Sequence, residues 1–79
     1  MTPAKIDSAI LSVVSQNWQK VAMIIVKTAD KVDVAFRESE GCYEVIAARL
    51  YALAEVGKLD SQGNVRNWRF SEVKLPPQS

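Results

Sequence analysis

Histidine is absent from these 79 residues, and cysteine occurs once, at Cys42. The first absence removes the commonest general base of enzyme chemistry. The second excludes an intramolecular disulfide and a cysteine-based zinc site. Cys42 has no imidazole to activate it and reads as a small apolar residue near a helix start. A lone cysteine fits a reducing compartment, so the expected location is cytoplasmic. Glycine is sparse too: Gly41, Gly57 and Gly63 stand apart, and none belongs to a phosphate-cradling loop. The longest wholly apolar run, Val21 to Val26, is far too short to span a bilayer. Met1-Thr2-Pro3-Ala4-Lys5 lacks the basic start, apolar run and cleavage pattern of a signal peptide. An excess of one charge is missing as well. Ten basic and nine acidic residues leave a net charge of +1, low for a protein that lives by gripping phosphates. These absences predict a protein that is not an enzyme, holds no metal or cofactor, and stays off membranes.

The chain has enough apolar residues, 48%, to fold around a core rather than stay disordered. Its length predicts one domain over residues 1–75, with a loose tail at 76–79. The charge is unevenly spread. Residues 1–27 carry a net +2, residues 28–55 a net −3, and residues 56–79 a net +2. The middle is acidic, and the last third is mildly basic.

Thr2-Pro3 is a helix start, a hydroxyl cap followed by proline where its missing N–H costs nothing. Ile6, Ile10, Val13 and Val14, with Ala9, form the stripe of helix one. Asn17 is expected to cap a second helix beginning at Trp18, with Trp18 as a lid on the core. Val21, Ile24, Ile25 and Thr28 form the stripe of that helix, and Met23 and Val26 widen it. Val32, Val34 and Phe36 alternate as in a short extended segment or a core-plugging loop. Ser39 is the expected cap of helix three, with Glu40 near its positive end, although Gly41 moves the start toward Cys42. Glu38 and Glu40 read as solvated charge at that end, not as a catalytic pair.

Ile46, Leu50 and Leu53 share one face of helix three, and Val56 extends it by a turn. Gly57 follows at the position where a helix end needs positive φ. Beyond Lys58-Leu59-Asp60 and a turn at Ser61-Gln62-Gly63-Asn64, a strand is expected from Val65 to Leu75. Trp68 and Phe70 share one face of it, and a bulge or bend near Ser71-Glu72 lets Val73 and Leu75 turn inward. The predicted fold is α+β: three helices followed by a C-terminal β-hairpin, winged-helix-like.

The segments Ile6-Asp7-Ser8-Ala9-Ile10-Leu11 and Trp18-Gln19-Lys20-Val21-Ala22 resemble a small bacterial domain family of unknown function. So do Ala48-Arg49-Leu50-Tyr51-Ala52-Leu53 with Gly57-Lys58-Leu59, and Trp68-Arg69-Phe70-Ser71-Glu72-Val73. The resemblance covers most of residues 6–75 and implies three helices with a terminal hairpin. It carries over no functional residue. More widely the pattern resembles winged helix-turn-helix domains, but it shows no strand between helices one and two.

Two binding surfaces compete. The outer face of helix three is predicted to carry Glu44, Ala47, Ala48, Tyr51 and Glu55, with Arg49 at its border pairing Glu44 or Glu55. Base reading favours Arg, Lys, Asn and Gln, so this acidic, alanine-rich face with one tyrosine suits a protein partner better. The expected function is a non-enzymatic binding module whose partner is another protein or its own copy. An inhibitor or immunity-type protein, or a regulatory adaptor, is its concrete form. The alternative is a DNA-binding transcriptional regulator that uses Lys58, Arg66 and Arg69 of the wing.

Overall fold

The computed structural model describes residues 2–77. The chain runs α1 (Pro3–Val13), β1 (Gln19–Lys20), α2 (Val21–Ala29), α3 (Val34–Arg37), α4 (Cys42–Glu55), β2 (Asp60–Gln62) and β3 (Glu72–Lys74). The fold is α+β, four helices and a three-stranded antiparallel sheet in the order β1-β3-β2. Gln19 lies opposite Val73 and Lys20 opposite Glu72, while Ser61 faces Val73 from the other side.

The start of α1 is as its residues require. Thr2 is the N-cap, its hydroxyl accepting from the Lys5 N–H at 3.3 Å, and Pro3 follows. Ile6, Ile10 and Val14 are buried. They meet Val21, Ile24, Ile25 and Ala29 of α2 and Ile46, Leu50 and Leu53 of α4, with Leu59 and Val73 closing the sheet side. Three helices thus pack their apolar stripes into one core, and the small sheet caps it.

The end of α4 is fixed by Gly57, at φ +85. The Gly57 N–H donates to the Ala54 carbonyl at 3.2 Å and the Lys58 N–H to the Leu53 carbonyl at 2.9 Å. This pair of bonds reverses the chain and satisfies two carbonyls that the helix leaves open.

Several sequence expectations are corrected. Helix two does not begin at Trp18. Ser15 instead gathers the loop, its N–H donating to Gln19 Oε1 at 3.0 Å and its hydroxyl accepting from the Asn17 N–H at 3.1 Å. Asn17 therefore caps nothing, and α2 starts at Val21 after Lys20. A strand does lie between the first two helices. β1 is two residues long, too short for alternation to mark it, and it forms only because β3 supplies its partners. Met23 and Val26 do not widen the core stripe: each is 48% exposed.

The segment expected to be extended or to be a core-plugging loop, Val32 to Phe36, is not extended but contains the single turn of α3. Val32 is buried, Phe36 packs at the core edge, and Val34 is exposed. Ser39 does not cap the next helix; Gly41, at φ +80, precedes α4. Val56 lies outside the stripe, 69% exposed at the end of α4. The long aromatic strand from Val65 is replaced by turns. The Asn67 N–H donates to the Asn64 carbonyl and the Phe70 N–H to the Asn67 carbonyl, so pairing resumes only at Glu72. Trp68 and Phe70 therefore share no face: Trp68 is half-buried and Phe70 is 74% exposed. The expected tail lies partly outside the described residues.

Candidate functional site

Cys42, Ile46, Leu50 and Leu53 turn one side of α4 into the core. Glu44, Ala48 and Glu55 recur on the opposite side by helical geometry, and all three are exposed. Ala47 is not with them. It is 2% exposed and belongs to the core, because its position lies roughly a quarter of a turn from the outer line. That corrects its expected place on the outer face.

Tyr51 sits at the edge of this face, half-buried against the core. Its hydroxyl oxygen accepts from the Trp68 indole N–H at 2.6 Å. The Arg66 guanidinium carbon lies 4.7 Å from the centre of its ring. The β2–β3 connection thus folds over the side of α4. A half-buried indole needs an acceptor for its N–H, and Tyr51 supplies it. The ring face then takes a cation. The turn that presents Arg66 is held by Asn64, whose side-chain oxygen accepts from the Arg66 N–H at 3.1 Å.

Arg66 stays exposed, and its guanidinium has no acidic partner among the described residues. Lys58 and Arg69 are exposed and equally unpaired among those residues. The carboxylates of the sheet have their own partners. Asp60 pairs with Lys74 at 3.1 Å, and Glu72 accepts from the Gln62 side-chain amide at 2.6 Å. Lys74 also lies 5.3 Å over the Trp18 ring. Glu44 and Glu55, like Arg66, form no ion pair among the described residues. One surface therefore carries acids along a helix and a guanidinium at its edge.

Arg49 pairs with neither Glu44 nor Glu55. Its Nε and one terminal nitrogen each donate to an Asp7 carboxylate oxygen at 2.8 Å, clamping α4 to α1. The hydrogen bond from Arg49 is the main cause that holds the Asp7 carboxyl below its usual range, and Asp7 raises the guanidinium in turn. The pair is a bidentate fork that fixes geometry. Burial, with the Glu44 charge, pushes the Cys42 thiol up, which keeps it protonated and unreactive at neutral pH.

Sequence reasoning placed Tyr51, Glu44, Ala48 and Glu55 on one surface, but missed Asp7 and the link between Tyr51 and Trp68. Among the described residues no group of three or more metal-ligating side chains occurs, and no helix is long and apolar enough to cross a membrane. A shallow groove lies elsewhere, lined by Ala4, Lys5, Ser8, Ala9, Ser12, Lys31 and Asp33. No protein-family model matches the chain, and neither a curated protein nor a solved structure is significantly similar to it.

Proposed function

We propose that this chain is a non-enzymatic binding module that docks a protein on the outer face of α4. The observation that carries the reading is the composition of that face. Ala48 leaves room for another backbone, Glu44 and Glu55 flank it, and Tyr51 is held rigid at its edge by Trp68 and Arg66. A small-residue surface bordered by a fixed aromatic has little side-chain freedom to lose when a partner docks. Tyr51 acts as a rim support in this reading, because half of it already packs inside.

The second reading is DNA binding. The order α1, β1, α2, α4, β2, β3 with sheet order β1-β3-β2 supports a winged-helix arrangement, and Lys58, Arg66 and Arg69 are exposed near its wing. The helix that would enter the major groove nevertheless offers Glu44 and Glu55, and Glu38 and Glu40 precede it. Those charges repel phosphates. The protein reading is preferred on that ground.

Methyl labelling of alanine tests the choice. Ala35 of α3 is also exposed and serves as the control. The Ala48 signal should shift or broaden while Ala35 stays sharp, either as the concentration of the labelled chain rises or on addition of nuclease-treated extract of the cells that express the protein. A response of Ala48 to duplex DNA, with none to the extract, favours the second reading.

A further inference from the structure

The free charges on the α4 face are of both signs, and their placement is self-complementary. Glu44 and Ala48 follow one another along the outer line of α4, and Tyr51 lies less than a turn beyond Ala48. Arg66 is held on the Tyr51 ring, so its position relative to Glu44 is set by the helix. Neither charge has an ion-pair partner among the described residues. A two-fold interface requires that residue i meet residue j while j meets i. An acid and a guanidinium placed on either side of a small central residue meet that requirement.

We propose that the occupant of this face is a second copy of the chain. The two α4 helices cross antiparallel at Ala48, and Arg66 of each copy pairs with Glu44 of the other. The proposal rests on the protein-docking reading above and names its partner. The register follows from counting outward from Ala48. Tyr51, three residues beyond it, comes opposite Val45, three residues before it, in the other copy. The guanidinium on Tyr51 is thereby carried to Glu44. Glu44 itself comes opposite Ala52, whose small side chain leaves space for the incoming arginine. Ala48 against Ala48 lets the helices approach closely, as small residues at a crossing point do.

The arrangement also explains why Arg66 rests on an aromatic ring. Stacking there keeps a long, flexible side chain in place, so little rotamer freedom is left to lose when the pair forms. A standard interface takes about 800 Å² from each partner, and the chain exposes 4945 Å² in all. A dimer of standard size would therefore cover roughly a sixth of the surface, and its Glu44–Arg66 pairs make it salt-sensitive.

Sedimentation equilibrium across the micromolar-to-millimolar range, with circular dichroism to check folding, tests the proposal. The wild-type chain should dimerise, and more weakly as salt rises. Glu44→Arg and Arg66→Glu should each weaken the dimer by about tenfold or more, while the double swap restores it to within about threefold of wild type. Ala48→Arg, which leaves both charges in place, should abolish it. A wild-type chain that stays monomeric throughout overturns the proposal. So does a dimer indifferent to the single swaps, or one that the double swap fails to rescue. The docking reading survives those results if the Ala48 methyl still responds to extract, and it falls with the proposal if the methyl is silent.

Discussion

Replacing Tyr51 by phenylalanine removes one oxygen and leaves the ring. In the folded protein that oxygen accepts from the Trp68 indole N–H at 2.6 Å, in a half-buried setting. A hydrogen bond of this kind contributes about 0.5–1.5 kcal/mol net. The phenyl ring still offers its face to Arg66, so the cation–π contact, worth about 0.5–1 kcal/mol at an exposed site, is retained. The loss should thus be about 1 kcal/mol. A chain of this length has a total stability of about 4–12 kcal/mol, so the loss is visible but not fatal. The melting temperature should fall by about 4–8 °C. Trp68→Phe breaks the same bond from the other side, and the double variant should show a coupling of about 0.5–1 kcal/mol. Urea unfolding followed by circular dichroism at low protein concentration is the assay, because self-association would add stability by mass action. A coupling below about 0.2 kcal/mol would refute the claim that Tyr51 holds the β2–β3 connection to α4.

Leu53→Ala, at a buried core position, should cost about 2–5 kcal/mol by the same urea assay, and a loss below about 0.5 kcal/mol would sink the assigned core face of α4. Gly63 sits at φ +76, and an added Cβ would come 2.8 Å from the Phe70 carbonyl oxygen. Gly63→Ala should therefore destabilise by more than about 1 kcal/mol, whereas an unchanged denaturation midpoint would deny the tight turn after β2. Asp7 ionises below its ordinary value of 3.8 when folded, so its contribution is present above that value and is lost as pH falls through the lowered folded value. Asp7→Asn should melt earlier than wild type at neutral pH, with the gap closing below the ordinary carboxylate range; a gap constant with pH contradicts the Arg49 fork. Titration with a random-sequence duplex at physiological salt should show no submicromolar binding, and such binding with a steep salt slope, lost on removing Arg66 and Arg69, would favour the DNA reading.

The parts of this fold that were legible in the sequence are those set by local chemistry. Thr2-Pro3 and the stripe through Ile6 and Ile10 mark α1, and Leu50, Leu53 and Gly57 mark the core side and end of α4. Each is decided within a turn or two of helix. The parts that were not legible depend on distant partners. β1 has two residues and no pattern of its own; it exists because β3 lies beside it. The alternation of Trp68 and Phe70 predicts one strand from Val65, but Asn64 and Asn67 favour turns and their carbonyls accept the turn bonds instead. Helical spacing put Tyr51 on the outer edge of α4, and nothing local to it announced that an indole seventeen residues on would cover it. Spacing along one helix pairs Arg49 only with acids of that helix; its partner, Asp7, comes from α1.

The most direct test of the account places a photo-crosslinking amino acid at Glu55, on the outer line of α4 but about two turns from Ala48, in the cells that express the protein, with Lys27 on the exposed side of α2 as the control. The account predicts a discrete protein adduct from position 55, with none from position 27. Its mass should be that of two copies of the chain if the α4 face pairs with itself. Adducts of equal yield from both positions, or a nuclease-sensitive adduct at position 55, would contradict the claim that α4 is a protein-docking face.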